Sequence, residues 1–202
     1  MNKENLALFL GMLSGDGHLS IRTKKAGYKS FSVEFCNTNI KLINLFDELL
    51  YQLFEVKGNF YSRIRENRKK IYDFRTYSKL VFNHLLSLGF PIGVKRDKLR
   101  VLKIIWDGTI KEKALFLKGV LITDGHIRKS GAILFHLGSR LFLEDISQLV
   151  YELIGIKKEI KEYIQKDRFY SYQLNLNKEE SQKILSMPPS HNGIASVLSW
   201  NK

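Results

Sequence analysis

Two short stretches hold the residues best suited to chemistry. Residues 11–18 read GMLSGDGH and residues 119–126 read GVLITDGH, so Gly11/Gly119, Leu13/Leu121, Asp16/Asp124, Gly17/Gly125 and His18/His126 recur at an offset of 108. Each stretch closes an apolar run of helical character, which places Asp16 and Asp124 at helix C-termini. Unpaired carbonyls already make the potential negative there, so a carboxylate is misplaced by roughly 0.3–1 kcal/mol. Two such carboxylates brought together raise each other's pKa. A divalent cation reverses the sign of the arrangement, because hard oxygen ligands at a negative helix end suit Mg²⁺. One Asp-Gly pair is a common turn after a helix; two matched copies point to a metal. Gly11 and Gly15, with Gly119 and Thr123 in the second copy, are small residues four apart, a spacing that lets two helix backbones approach closely.

The elements around these motifs repeat as well. A helix over 3–15 ends at Asp16-Gly17, where glycine suits a left-handed C-terminal position. Leu19, Ile21 and Thr23 alternate with His18, Ser20 and Arg22, and Phe31, Val33 and Phe35 with Ser30, Ser32 and Glu34, as in a two-faced hairpin. Ile40, Ile43, Phe46, Leu49, Leu50 and Leu53 give an apolar helical stripe over 38–55. A second hairpin spans 60–77, and a helix capped by Ser78 ends at Gly89. Residues 91–109 join the halves, and Thr109 with Glu112 forms a capping box for the second motif helix. Beyond it come a hairpin over 126–137, a helix over 139–154, a hairpin over 157–176 and a helix from Lys178. The pattern predicts an α+β fold of two αββαββα halves, 1–105 and 106–202, forming one pseudo-twofold unit with antiparallel sheets around a central pair of motif helices.

Composition narrows the partners. Thirty-three Lys+Arg against 20 Asp+Glu give a net charge of +13, which favours a polyanion through attraction to phosphates and release of their counterions. The longest apolar runs, Leu6–Leu13 and Leu115–Thr123, are too short to span a bilayer, and the first residues, MNKEN, do not read as a signal peptide. The single Cys36 excludes an internal disulfide and a cysteine zinc site. A reducing intracellular setting is expected, in a prokaryotic cytoplasm or an organelle.

LFLGMLSGDG (8–17) and LFLKGVLITDG (115–125) resemble the two motifs of the monomeric, intron-encoded LAGLIDADG homing endonucleases, and the repeated element order extends the resemblance over essentially all 202 residues. The family's first motif acid is replaced by Ser14 and Ile122; the essential acid is present twice. The resemblance implies hydrolysis of both strands of a DNA duplex across a narrowed minor groove, leaving 3′ overhangs. It implies Mg²⁺, with Mn²⁺ a workable substitute, held by Asp16, Asp124 and the backbone carbonyls of Gly15 and Thr123. The family also places a polar side chain at the end of the second strand and a basic residue one helical turn on. Asn37 and Lys41 fit that description, as do His136 and Arg140, although Leu137 is an alternative for the first position in the second half. Asn37 serves equally as a helix N-cap, with Thr38 or Asn39 as alternatives. A further basic residue is implied near the start of the joining segment, where Lys95, Arg96 and Lys98 crowd and Arg96 is the first choice.

Strand faces supply the expected DNA footprint. From the first half these are Arg22, Lys24, Tyr28, Lys29, Ser30, Ser32, Glu34, Tyr61, Arg63, Arg65, Arg68, Asp73 and Arg75. From the second half they are Arg128, Lys129, Arg140, Lys161, Tyr163, Gln165, Lys166, Arg168, Ser171 and Gln173. Such side chains reach base edges in the major groove or, at turns, phosphates. Strands of about 8–10 residues match about 9 base pairs each, so two unlike halves imply an asymmetric duplex target on the order of 18 base pairs, bound by a monomer. The resemblance also permits an RNA-binding maturase acting on intron RNA, and a decayed scaffold would leave a non-cleaving regulator. His84 and His191 belong to no constellation.

Overall fold

The computed structural model describes residues 1–23, 27–64, 70–164 and 170–187. The first half runs α1 (Lys3–Asp16), β1 (Gly17–Thr23), β2 (Lys29–Asn37), α2 (Ile40–Phe54), β3 (Asn59–Ile64), β4 (Lys70–Thr76) and α3 (Lys79–Ser87). A single-turn helix, α4 (Lys103–Trp106), lies in the joining segment. The second half repeats the order as α5 (Ile110–Asp124), β5 (Gly125–Ile127), β6 (Ile133–Leu137), α6 (Arg140–Ile154), β7 (Lys161–Ile164), β8 (Tyr170–Leu176) and α7 (Lys178–Ser186). The αββαββα plan is thus present twice, as the sequence pattern predicts. Two antiparallel sheets form, ordered β1-β2-β4-β3 and β5-β6-β8-β7. Among the described residues no helix is long and apolar enough to cross a membrane.

Caps define the helix starts. Asn2, Asn39, Ser78, Ser139 and Asn177 each accept a first-turn backbone N–H, and Thr109 with Glu112 closes both arms of the expected capping box. The choice of Asn39 settles one alternative: Asn37 is not the cap of α2.

The two motif helices form the most extensive contact between any two elements. Every residue of α1 from Leu6 to Ser14 is buried, so this stretch of the helix has no polar face. A Cβ at Gly11 would strike the Phe116 carbonyl, and one at Gly119 would lie 2.6 Å from the Leu8 carbonyl and 2.9 Å from Gly11 Cα. The glycines therefore permit a backbone-to-backbone approach that no side chain would fit.

Gly17 does not take the left-handed conformation expected of it, and neither does its counterpart Gly125. Both are extended (φ −102° and −93°) and pass straight into β1 and β5. Glycine is required for space instead, since a Cβ would meet the Leu13 carbonyl at 2.9 Å or the Leu121 carbonyl at 2.7 Å.

The sheets lay their apolar faces on the helices. Val33 and Phe35 of β2, Phe74 of β4, Ile133 and Phe135 of β6 and Leu174 of β8 are all buried in one core. Phe46 of α2 stacks on Phe35 and Phe9, with ring centroids 4.3 and 4.6 Å apart. The alternation of strand side chains then directs His18, Arg22, Glu34, Asp73 and Arg75 to the opposite face.

The joining segment is pinned at both ends. Ile92 bridges to Leu19 and Gly93 donates to the Leu19 carbonyl, while Arg100 and the Val101 N–H bind buried Asp145 of α6 at 2.6–2.8 Å. Residues 94–99 are thereby held across the seam between the halves.

Candidate metal centre and nucleic-acid interface

The close pairing of α1 and α5 brings Asp16 and Asp124 to one place. Burial, followed by the charge of Asp124, pushes the Asp16 carboxyl up to about 7. Burial likewise raises that of Asp124. Two half-buried carboxylates that resist ionisation are the arrangement a divalent cation would relieve. Among the described residues no group of three or more His, Cys, Asp or Glu forms a complete cage. The donor set is thus two carboxylates and helix-end carbonyls, with room for outside oxygen ligands. That chemistry fits a hard cation shared with a phosphate.

Asn37 joins this centre. Its Oδ1 accepts from the Asn39 N–H at 2.7 Å, which fixes the amide so that Nδ2 faces and donates to Asp16 Oδ2 at 2.5 Å. Its expected place beside the acid is therefore occupied, and the capping alternative fails. Lys41 lies exposed in the first turn of α2.

The joining segment contributes one of its three basic candidates, though not the first choice. Lys95, not Arg96, reaches the centre: its Nζ donates to the carbonyls of Leu13, Ser14 and Gly15 at 3.2, 2.7 and 2.6 Å. An ammonium at the negative end of α1 satisfies three terminal carbonyls at once. Burial lowers its pKa to about 8, with the two aspartates opposing. Arg96 lines the same cavity as Asp124 and donates to the Gly138 and Tyr170 carbonyls at 3.1 and 2.8 Å. No periodicity on this irregular segment announces which of its basic residues reaches the end of α1. The Gly15 carbonyl, expected as a metal ligand, is already shared with Lys95. The Thr123 hydroxyl turns back to the Gly119 and Val120 carbonyls.

The second half departs from expectation at the matching strand end. Asn37 pairs with Tyr72, whereas the residue paired with Tyr172 is Leu137. His136 instead matches Cys36 in register, on the other face of the strand. It still lines a cavity of about 480 Å³ with Asp124, Lys95, Ser14 and Ser171. Arg140 follows the cap Ser139 as Ile40 follows Asn39, so it is not the counterpart of Lys41. Its guanidinium pairs with Glu144 at 3.0 Å and lies 3.8 Å from Glu162.

The outer face of the first sheet is an ion-pair network rather than a row of free readers. Glu34 is buried, accepts from Ser32, Arg22 and Arg75 at 2.7–3.2 Å and lies 3.6 Å from His18. Ser32 and Glu34, expected to face DNA directly, instead brace two arginines. Asp73 likewise holds Arg63 at 2.8 Å. Tyr28, Lys29, Tyr61, Arg128, Lys129, Lys161 and Tyr163 are exposed and Ser30 and Gln173 half-buried, while Ser171 is buried. Lys24, Arg65, Arg68, Gln165, Lys166, Arg168 and His191 lie outside the described residues. Lys118, on the second motif helix, was missed. It is fully buried and donates to the carbonyls of Leu185 and Met187, closing the end of α7.

Comparison with known proteins agrees with this geometry. The LAGLIDADG-like domain family matches residues 111–186. No curated protein sequence matches the chain. Among solved structures, the homing endonuclease I-DmoI in complex with DNA and Mn is similar at a TM-score of 0.69 and 20% identity, covering 95% of this chain and 99% of that one. The homing endonuclease I-WcaI bound to its DNA recognition sequence is similar at 0.61 and 14%, covering 93% and 81%. The N-terminal LAGLIDADG domain of DUF199/WhiA is similar at 0.57 and 12%, covering 98% and 88%. Residues 111–186 thus match the LAGLIDADG-like domain family, and the chain as a whole has the fold of the homing endonucleases I-DmoI and I-WcaI.

Proposed function

We propose that this protein is a site-specific, metal-dependent homing endonuclease that cuts both strands of a long, asymmetric DNA duplex and leaves 3′ overhangs. One observation carries the reading: two carboxylates, each at the C-terminus of a motif helix, meet at the seam between the halves and are both held above the usual carboxylate range by burial. I-DmoI has been crystallised with DNA and Mn or Ca, and a variant of it with Mg, which supports a divalent cation here, Mg²⁺ in the working enzyme with Mn²⁺ able to replace it.

Asp16 and Asp124 would hold the cation, with the Thr123 carbonyl and phosphate oxygens completing its shell. When bound, it supplies Lewis-acid polarisation of the scissile phosphate. The protein's own residues do the rest. Asn37 fixes the orientation of Asp16; Lys95 places a positive charge beside both acids, where charge develops on the phosphoryl oxygens. Arg22 and Arg75, braced by Glu34, present guanidinium forks suited to guanine edges. Lys29, Arg128, Lys129 and Lys161 hold phosphates, and Tyr61, Tyr163 and Gln173 line the groove. The chain acts as a monomer inside the compartment that holds its target.

The test is incubation with a plasmid carrying the uninterrupted sequence that flanks the gene, in Mg²⁺ or in EDTA. Linear product that requires the cation is expected. Asp16→Asn and Asp124→Asn should each abolish linearisation while DNA binding persists; full activity in either would remove that acid from its role.

A further inference from the structure

The outer faces of the two sheets match position by position, because both are built in the same register. Val33 pairs with Thr76 and Asn37 with Tyr72 in the first, as Ile133 pairs with Leu176 and Leu137 with Tyr172 in the second. One row across the first sheet is His18, Glu34 and Arg75; the same row across the second is His126, Leu134 and Asn175. Beyond that row, Asp73 corresponds to Gln173, and Arg63 of the edge strand to Tyr163. β5 ends at Ile127, short of any strand position equivalent to Arg22. Acids paired with guanidinium groups in one sheet are thus replaced by an apolar group, a phenol and two amides in the other.

The replacement changes what each face can recognise on a base pair. In the first sheet Glu34 is buried and accepts from Arg22 and Arg75 at 2.7–3.2 Å, while Asp73 accepts twice from Arg63, at 2.8 and 3.2 Å. These three arginines and two acids line one hollow of about 490 Å³. A guanidinium carries its N–H donors in a fixed fork. Arg63, held through Nε and one terminal nitrogen, therefore keeps an end-on pair of donors aimed away from its carboxylate, and such a pair matches O6 and N7 of guanine. In the second sheet Gln173 and Asn175 are half-buried. A carboxamide sets a donor beside an acceptor, the complement of N7 and N6 of adenine, and Leu134, paired with Asn175, offers apolar surface to a thymine methyl. Lys161, beside Gln173 on the edge strand, carries charge for a phosphate but no such pattern.

Resting on the reading of a site-specific DNA enzyme, we infer that the two halves of the target differ in base composition. G·C pairs lie under the first sheet, read by Arg22, Arg63 and Arg75. A·T pairs lie under the second, read by Gln173 and Asn175 with Leu134. Glu34 is a positioning residue: it touches no base and sets the angle of two guanidinium forks. Without it the same arginines remain as charges that hold any duplex.

The experiment is selection of duplexes from a randomised library by binding to the full chain in Ca²⁺, with the bound pool sequenced. One half-site is expected to be enriched in G·C and the other in A·T. At contacted positions the enrichment should be about fivefold or more, the low end of what one bidentate base contact discriminates. Glu34→Gln should erase the G·C enrichment and keep that of the A·T half. It should also tighten binding to an unrelated duplex, because a negative charge leaves the DNA face. Arg63→Gln, a change at an exposed side chain, should weaken enrichment in the G·C half alone. Leu134→Glu combined with Asn175→Arg should turn the A·T half toward G·C. The same composition in both halves, equal loss from both halves with Arg63→Gln, or an A·T half unmoved by the double variant would each overturn the inference while leaving a site-specific enzyme. A pool with no enriched sequence would overturn the site-specific reading, and the inference with it.

Discussion

A carboxyl pushed up to about 7 beside a second raised carboxyl places a thermodynamic load on a few atoms. Between about pH 4 and pH 7 the folded protein keeps a proton on Asp16 that the unfolded chain has released, so stability falls as pH rises through that window, by up to about 4 kcal/mol. The melting temperature without divalent cation should therefore drop from pH 4.5 to 7.5. Asp16→Asn should flatten that drop, and Ca²⁺ at pH 7.5 should restore the native protein but not the variant. A native melting temperature that ignores pH would refute the strained pair. Lys95 belongs to the same cluster: Lys95→Met should slow cleavage by tenfold or more, whereas Arg96→Ala, whose guanidinium faces backbone carbonyls of the second half, should slow it less than fivefold. The reverse ranking in single-turnover assays would restore Arg96 as the inner residue. The two aspartates were legible because the motif is written twice. Lys95 was not, because three basic residues within four positions of an irregular segment carry no periodic signal, and only the tethering at Ile92 and at Arg100 decides which one turns inward. Between His136 and its alternative Leu137, the register makes Leu137 the counterpart of Asn37, because a step of one residue along a strand exchanges its faces.

At the scale of elements, alternation and helical stripes gave nearly every boundary to within a few residues. The misses lie where tertiary contact overrides local rule. Gly17 and Gly125 resemble helix-ending glycines, yet they serve close packing over Leu13 and Leu121. The one-turn helix α4 is too short for any periodicity to mark. The pairing of α1 with α5 depends on the absence of side chains at its crossing, so Gly119→Ala should cost about 1–3 kcal/mol, since the new methyl meets the backbone of α1 and cannot be relieved by a rotamer change. Urea denaturation would read this directly; an unchanged midpoint would mean the helices can part without penalty. Ser32 and Glu34 show the complementary lesson. Their alternation correctly places them on the outer face, but their burial beneath Arg22 and Arg75 follows from two neighbouring strands and was not visible from one.

For the whole molecule, a charge of +13 spread over two sheets predicts binding dominated by counterion release. If about 8–10 phosphates are neutralised, log Kobs should fall with log[salt] at a slope of roughly −7 to −9. Anisotropy titrations between 50 and 200 mM salt would measure it, and a slope shallower than about −3 would argue against an extended DNA track.

The seam between the motif helices has one more consequence. Ser14 and Gly15 of the first half line the space that holds Asp124, while Thr123 of the second lines the cleft that holds Asp16. Each of the two aspartate clefts is thus walled by both halves. Recombination between relatives could exchange the outer strands freely, yet a transplanted half would bring a wall fitted to a different neighbour. Close packing thus binds the two motif helices to change as a pair, while the sheets around them stay free to drift apart.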